Sequence, residues 1–287
     1  MRIHNPYWKP LALVALLCGL ACLEEAGTLC AAELRRETLS AWGAYVRATE
    51  QRIGRELSSG GPFLVLDYQE PHAAAGEMNA LMDGRITVVR MDSVDNDGCP
   101  IEVPGGMIHH WRGSVLIPGV DLDYVLARVE NPVSQEIRQE DVLQSAVLER
   151  GDGYLRLYLK LQRSKIVTVV YNTIHEVRYQ RRRNDQAWSS SKAVRIVEVS
   201  HPNSPEEIEK PEGKDHGFLW RLDSYWRYRQ VDGGVIVECE SVSLSRSIPK
   251  LLEYFVRPII DRIARESMER TLASMRDRIV RSHKSPI

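Results

Sequence analysis

The segment between residues 154 and 246 limits this chain more than any other part. Five stretches within it alternate apolar and polar side chains with a period of two: "YLRLYLKLQR" (154–163), "IVTVVYNTIHEVRYQ" (166–180), "QAWSSSKAVRIVEVS" (186–200), "HGFLWRLDSYWRYRQ" (216–230) and "GVIVECESVSLSR" (234–246). That alternation belongs to β-strands, whose successive side chains point to opposite faces of a sheet. Most of the links are short and carry turn residues, such as Asn184-Asp185 and Asp232-Gly233-Gly234. Short links join antiparallel neighbours, so an antiparallel meander is expected. The exception is "HPNSPEEIEKPEGKD" (201–215), a polar loop.

Helices and further strands flank the meander. "ELRRETLSAWGAYVRATEQRIGREL" (33–57) spaces Leu39, Trp42, Val46, Ile53 and Leu57 as one face of an amphipathic helix, ended by "SSGGP". "FLVLDY" (63–68) and "GRITVVRMDS" (84–93) read as strands, and "VDNDGCPIEVPGG" (94–106) is turn chemistry that suggests a boundary. "MIHHWRGSVLIPG" is another strand, "VDLDYVLARVENP" a short helix closed by Pro132, and "VSQEIRQEDVLQSAVLER" a helical or mixed piece. Beyond Pro258, the residues Ala264, Met268, Leu272, Met275 and Ile279 form one apolar stripe on a final helix of about six turns. The fold class is α+β.

The N-terminus has Arg2 and Lys9 before the apolar run "LALVALLCGLACL" (11–23), then small residues. This is the pattern of a secretory signal peptide over residues 1–32, with cleavage after Ala32. A membrane span needs about 20 apolar residues, which makes an uncleaved anchor the weaker alternative. The expected location is periplasmic or secreted. Cys99 and Cys239 then remain in the mature chain, either paired or free. A net charge of −1 gives no reason to expect nucleic acid as a partner. No metal or other cofactor is expected. His109 and His110 are adjacent and would point to opposite faces, with no ligand set around them, and no Gly-rich phosphate loop is present. The serines of "WSSSK" have no evident base.

A strand, a short helix, an antiparallel run and a long closing helix follow one another from residue 105 to 283. With "GSVLIPG" before the first helix and "YWRYRQVDGGVIVECESVSLSRSIP" at the last hairpin, this region resembles START-like proteins of the helix-grip superfamily. That grouping includes lipid-transfer proteins and polyketide cyclases. The resemblance implies a curved antiparallel sheet wrapped around the C-terminal helix, with a cavity between them. Residues 33–104 would be an N-terminal helix-and-strand extension outside it.

On that expectation the even positions of 218–228, including Trp220, Trp226 and Tyr228, face the cavity or fill it themselves, while Arg221, Asp223 and Arg227 face water. His175 and Tyr171 share an apolar row on 166–180, and His109 and Trp111 share another on the first strand. Arg195 and Glu240 are added as polar groups, although the phase of their strands is open. The expected partner is a hydrophobic small molecule or lipid, with transient membrane contact also open, and the expected role is binding or carriage. Two alternatives stand beside it. One is a cavity enzyme of cyclase or hydratase type, with His109, His175 or Glu240 converging as acid and base. The other is an interaction module with a filled core. The basic tip "RYQRRRND" is a solvated turn or a headgroup contact. Entry of a ligand would need movement of the 201–215 loop or of the first turn of the last helix.

Overall fold

The computed structural model describes residues 34–130, 141–164, 168–248 and 250–284, without the side chains of 164, 250–253 and 255. The proposed signal peptide lies outside these residues. In chain order the elements are α1 (Arg36–Ser58), a 3-10 turn (Val65–Tyr68), α2 (Pro71–Met82), β1 (Thr87–Arg90), β2 (Gly106–Pro118), α3 (Leu122–Glu130), β3 (Val142–Gly151) and β4 (Tyr154–Ser164). Then come β5 (Thr168–Arg183), β6 (Gln186–Ser200), β7 (Ile208–Glu209), β8 (Arg221–Val231), β9 (Gly234–Arg246) and α4 (Lys250–Lys284). The strands form one antiparallel sheet in the order β1-β2-β9-β8-β6-β5-β4-β3, with β7 added beside β6.

The sheet is strongly curled, as two ion pairs show. Arg90 on β1 bonds Asp261 of α4 at 2.8 Å, and Arg270 of α4 bonds Asp141, just before β3, at 3.1 Å. These strands are the opposite ends of the order. Seven strand spacings would put them ~34 Å apart in a flat sheet. One helix reaches both only because the sheet bends around it, which is the helix-grip architecture. Met268, Leu272, Met275 and Ile279 of α4 pack on Val115, Ile117, Val237 and Cys239 of β2 and β9. Gly113 allows this close approach, since a Cβ there would stand 2.6 Å from Leu272 Cδ1 and 2.6 Å from Met268 Cγ.

Three expectations change. The stretch 63–68 forms no strand but leads into the 3-10 turn Val65–Tyr68, because side chains rather than a neighbouring strand bind its backbone. The Asp67 carboxylate accepts from the N–H of Phe63 and Leu64, and Glu238 accepts from the N–H of Val65 and Leu66. Second, the piece expected to be helical or mixed after Pro132 becomes strand β3 from Val142, its earlier part lying outside the described residues. Pairing with β4 supplies the partner that local pattern could not reveal. Third, the helix α2 over "PHAAAGEMNALM" was not anticipated; Pro71 at its first turn is its start signal.

Candidate functional site

Parity along each strand divides the sheet into an inner face toward α4 and an outer face toward α1 and α2. On β2, Trp111, Val115 and Ile117 join the α4 core, while His110 bonds Tyr45 of α1. On β9, Val235, Val237 and Cys239 point inward, and Glu238 and Glu240 outward. On β8, Trp226 and Tyr228 are inner and Tyr225 is outer.

Where α1 and α2 cover it, over β2, β9 and β8, the outer face is not wet. Trp42, Tyr45, Val46 and Ile53 of α1 pack on Tyr225, Val242 and Leu244, while Phe63, Leu64, Leu66 and Leu81 pack on Leu116 and Ile236. The charged alternates of the strands are sealed beneath them. Arg112 bonds Glu77 of α2 at 2.8 Å and Glu238 at 2.9 Å, and Arg227 bonds Glu56 of α1 and the Phe63 carbonyl. Arg52 of α1 bonds Glu56 and Glu240. His110 connects this network to α1: Ser93 N–H donates to the Tyr45 hydroxyl, which donates to His110 Nδ1, leaving His110 Nε2–H to donate to Glu240 at 2.8 Å. Buried charges persist where they are paired and hydrogen-bonded. Asp223 carries less compensation, and its burial raises it to about 6.

Parts of the inner face are less covered, although its β5 row is buried. Leu222, Ser224 and Trp226 on β8 keep accessible surface, whereas their outward neighbours Asp223, Tyr225 and Arg227 are buried. His109 and Trp111 on β2, and Leu157 and Leu159 on β4, are likewise half-buried although they face the interior. The helix approaches β2 and β1 most closely, and Tyr228 of β8 and Ala187 of β6 also join its core.

The expected site residues separate accordingly. His109, Trp111, Tyr171, His175, Trp226 and Tyr228 lie on the inner face; Trp226 is half-buried and Tyr228 buried. Trp220 is a correction. It precedes β8, packs with the α1 cluster and donates Nε1–H to Asp215 at 3.0 Å. Glu240 is a second, because its parity puts it on the outer face with Arg52 and His110. Arg195 is a third. A bulge in the β5–β6 pairing between Ile174 and His175 reverses the phase, so Arg195 stands outward opposite Ile174 and pairs with Glu209. Glu240 is therefore separated from His109 and His175 by the sheet itself, and the two histidines stand four strands apart in its order.

Both inner histidines are neutral. Burial lowers His175 to about 4 and His109 to about 4. Thr173 Oγ1–H donates to the Leu159 carbonyl, so it accepts Nε2–H from His175 at 3.0 Å. Ser245 likewise donates to the Arg246 carbonyl and accepts from His109 Nε2 at 2.9 Å. The Ser191 hydroxyl stands 3.5 Å from His175 Nδ1, and neither neutral ring is an acid at neutral pH.

Other surface expectations are resolved by contacts. Arg182 and Arg183 donate to the Ser59 and Gly60 carbonyls and Arg181 to Asp123, so the basic tip clamps the turn after α1. Three ion pairs, Lys160–Glu207, Arg195–Glu209 and Lys210–Glu198, hold the 201–215 loop. Cys99 is exposed and Cys239 buried on the inner face, and both are free. The leucine row Leu155, Leu157, Leu159 and Leu161 was overlooked as inner lining, although its parity is plain in "YLRLYLKLQR".

No family model matches the chain, and no curated protein does. Among solved structures, it is similar to human StAR-related lipid transfer protein 5, at 14% identity over 85% of this chain and 98% of that one, with a TM-score of 0.44. A STAR-related lipid transfer protein from Xanthomonas axonopodis gives 19% identity, 62% and 95% coverage and a TM-score of 0.42. The Zhui aromatase/cyclase from a Streptomyces species gives 10% identity, 62% and 96% coverage and a TM-score of 0.37.

Proposed function

We propose that this protein binds a hydrophobic small molecule between the inner face of the sheet and α4. The observation that carries the proposal is the reversal of burial on β8. Charged side chains on its outer face are sealed, while Leu222 and Trp226 on its inner face keep accessible surface. Apolar groups that face inward and remain uncovered favour a guest that covers them, at ~25 cal/mol per Å² of apolar surface removed from water. A few placed polar groups among them, His109 and His175, suit the orientation of such a guest. The proposal includes carriage of the molecule by an exported form, in keeping with the N-terminal segment.

The test is displacement of a neutral hydrophobic dye from the purified protein, together with mass analysis of molecules extracted from it. Saturable dye binding that Trp226→Ala weakens is the expected result. Absence of dye binding and of any co-purifying apolar molecule would reject the proposal.

A further inference from the structure

The inner face ends in a charge cluster. Arg163 continues the leucine row of β4 on the same parity, and its guanidinium stands 3.1 Å from Asp141. Arg270 of α4 reaches the same carboxylate oxygen at 3.1 Å. Among the described residues, two guanidiniums thus share one carboxylate, which leaves a surplus positive charge there. Arg270 Nε is buried without a hydrogen-bond partner among the described residues. So is the hydroxyl of Tyr171, a residue only 2% exposed, whose β4 partner is Leu161, two residues before Arg163.

The surroundings make Tyr171 a donor and leave its hydroxyl unanswered. Burial, reinforced by the Glu198 and Asp215 carboxylates, holds the phenol far above its ordinary range, against the pull of nearby Arg163. Neither carboxylate accepts its proton. Glu198 is engaged by Lys210 at 2.5 Å and His216 at 2.6 Å, and Asp215 by Gly217 N–H and Trp220 Nε1–H. Arg163 itself is lowered by burial, yet 40% of its side-chain surface is accessible.

We infer that the ligand is an amphiphile with an oxyanion head, a carboxylate or phosphate, held by Arg163, Arg270 and the Tyr171 hydroxyl, with its hydrocarbon tail along Leu161, Leu159 and Leu157. Asp141 keeps the two guanidiniums side by side. The inference rests on the internal-binding proposal above and specifies the class of ligand. An oxyanion fills the unmatched donors with charge-assisted hydrogen bonds, which a neutral head of equal length cannot do.

The test measures displacement of the neutral dye 1-N-phenylnaphthylamine by oleate, dioleoyl phosphatidic acid and oleyl alcohol, each below its aggregation threshold. Oleate or the phosphatidic acid should compete roughly tenfold or more better than the alcohol, and whichever does so identifies the head. Arg163→Gln and Arg270→Gln should abolish that preference. Tyr171→Phe removes an oxygen that has no hydrogen-bond partner among the described residues. It should therefore keep the wild-type melting temperature and still weaken oxyanion binding, so the inference stays testable if an arginine variant fails to fold. Dye and alcohol binding with no oxyanion preference, or a preference untouched by all three variants, overturns the inference alone. Absence of binding by every probe overturns the internal-binding proposal with it.

Discussion

Replacing Arg112 by methionine isolates the energetics of the sealed outer face. The Arg112 side chain is 1% exposed and bonds two carboxylates, Glu77 of α2 and Glu238 of β9, themselves 9% and 2% exposed. Methionine fills similar volume but leaves both carboxylates without their cation. Breaking a buried pair from one side costs about 3–5 kcal/mol, a large part of an ordinary stability of roughly 5–15 kcal/mol. With a urea slope near 3 kcal/mol/M, the unfolding midpoint should fall by about 1–1.7 M. The loss also carries a pH signature. Burial pushes Glu77 up, but the Arg112 bond and charge outweigh it and leave it below its ordinary value. Glu77 therefore adds stability above the unfolded carboxylate pKa, and that contribution fades as pH falls through its lower folded value. Burial raises Glu238 despite Arg112 and Arg227, so ionised Glu238 opposes folding once pH exceeds its unfolded value. Without Arg112 both groups favour the protonated form. The deficit should accordingly be larger at pH 8 than at pH 5, and Glu77→Gln with Glu238→Gln in the same chain should recover most of it. Urea titrations followed by tryptophan fluorescence at the two pH values measure this. A deficit below about 1 kcal/mol, or one that does not change with pH, would refute the argument that paired charge holds α2 to the sheet.

Three further outcomes follow from the geometry. Trp220→Ala should lower stability by about 3–5 kcal/mol while the folded variant keeps wild-type dye affinity; Trp226→Ala should chiefly weaken dye binding, and an equilibrium titration beside a melt separates the two. His175→Gln should reduce acid sensitivity, because a histidine lowered to about 4 takes its proton more readily in the unfolded chain, so stability is lost as pH falls from 6.5 toward 4; melting temperatures across that window show it, and an unchanged profile counts against a buried neutral ring. Gly113→Ala should overpack the contact with Met268 and Leu272 by about 1–3 kcal/mol, lowering the melting temperature by roughly 2–10 °C, and Leu272→Ala in the same chain should cost less than the sum of the two changes.

What the chain discloses by itself is an antiparallel meander and, within each strand, which side chains share a face. Alternation and short links give the meander, and parity sets Trp226 with Tyr228 on β8 and Tyr171 with His175 on β5. Alternation says that the two faces of a strand differ, but not what covers each. Arg112, Arg227, Glu238 and Glu240 look solvated in sequence because their partners lie far along the chain: Glu77 of α2 is 35 residues from Arg112, and Glu56 and Arg52 of α1 are 171 and 188 residues from Arg227 and Glu240. The reversal of Arg195 needed the bulge at Ile174, which depends on the pairing of β5 with β6. Likewise, only the curl that brings α4 to both ends of the sheet sets Arg270 beside Arg163. Local pattern fixes where a side chain points; the packing of distant segments decides whether it meets water, protein or an open space.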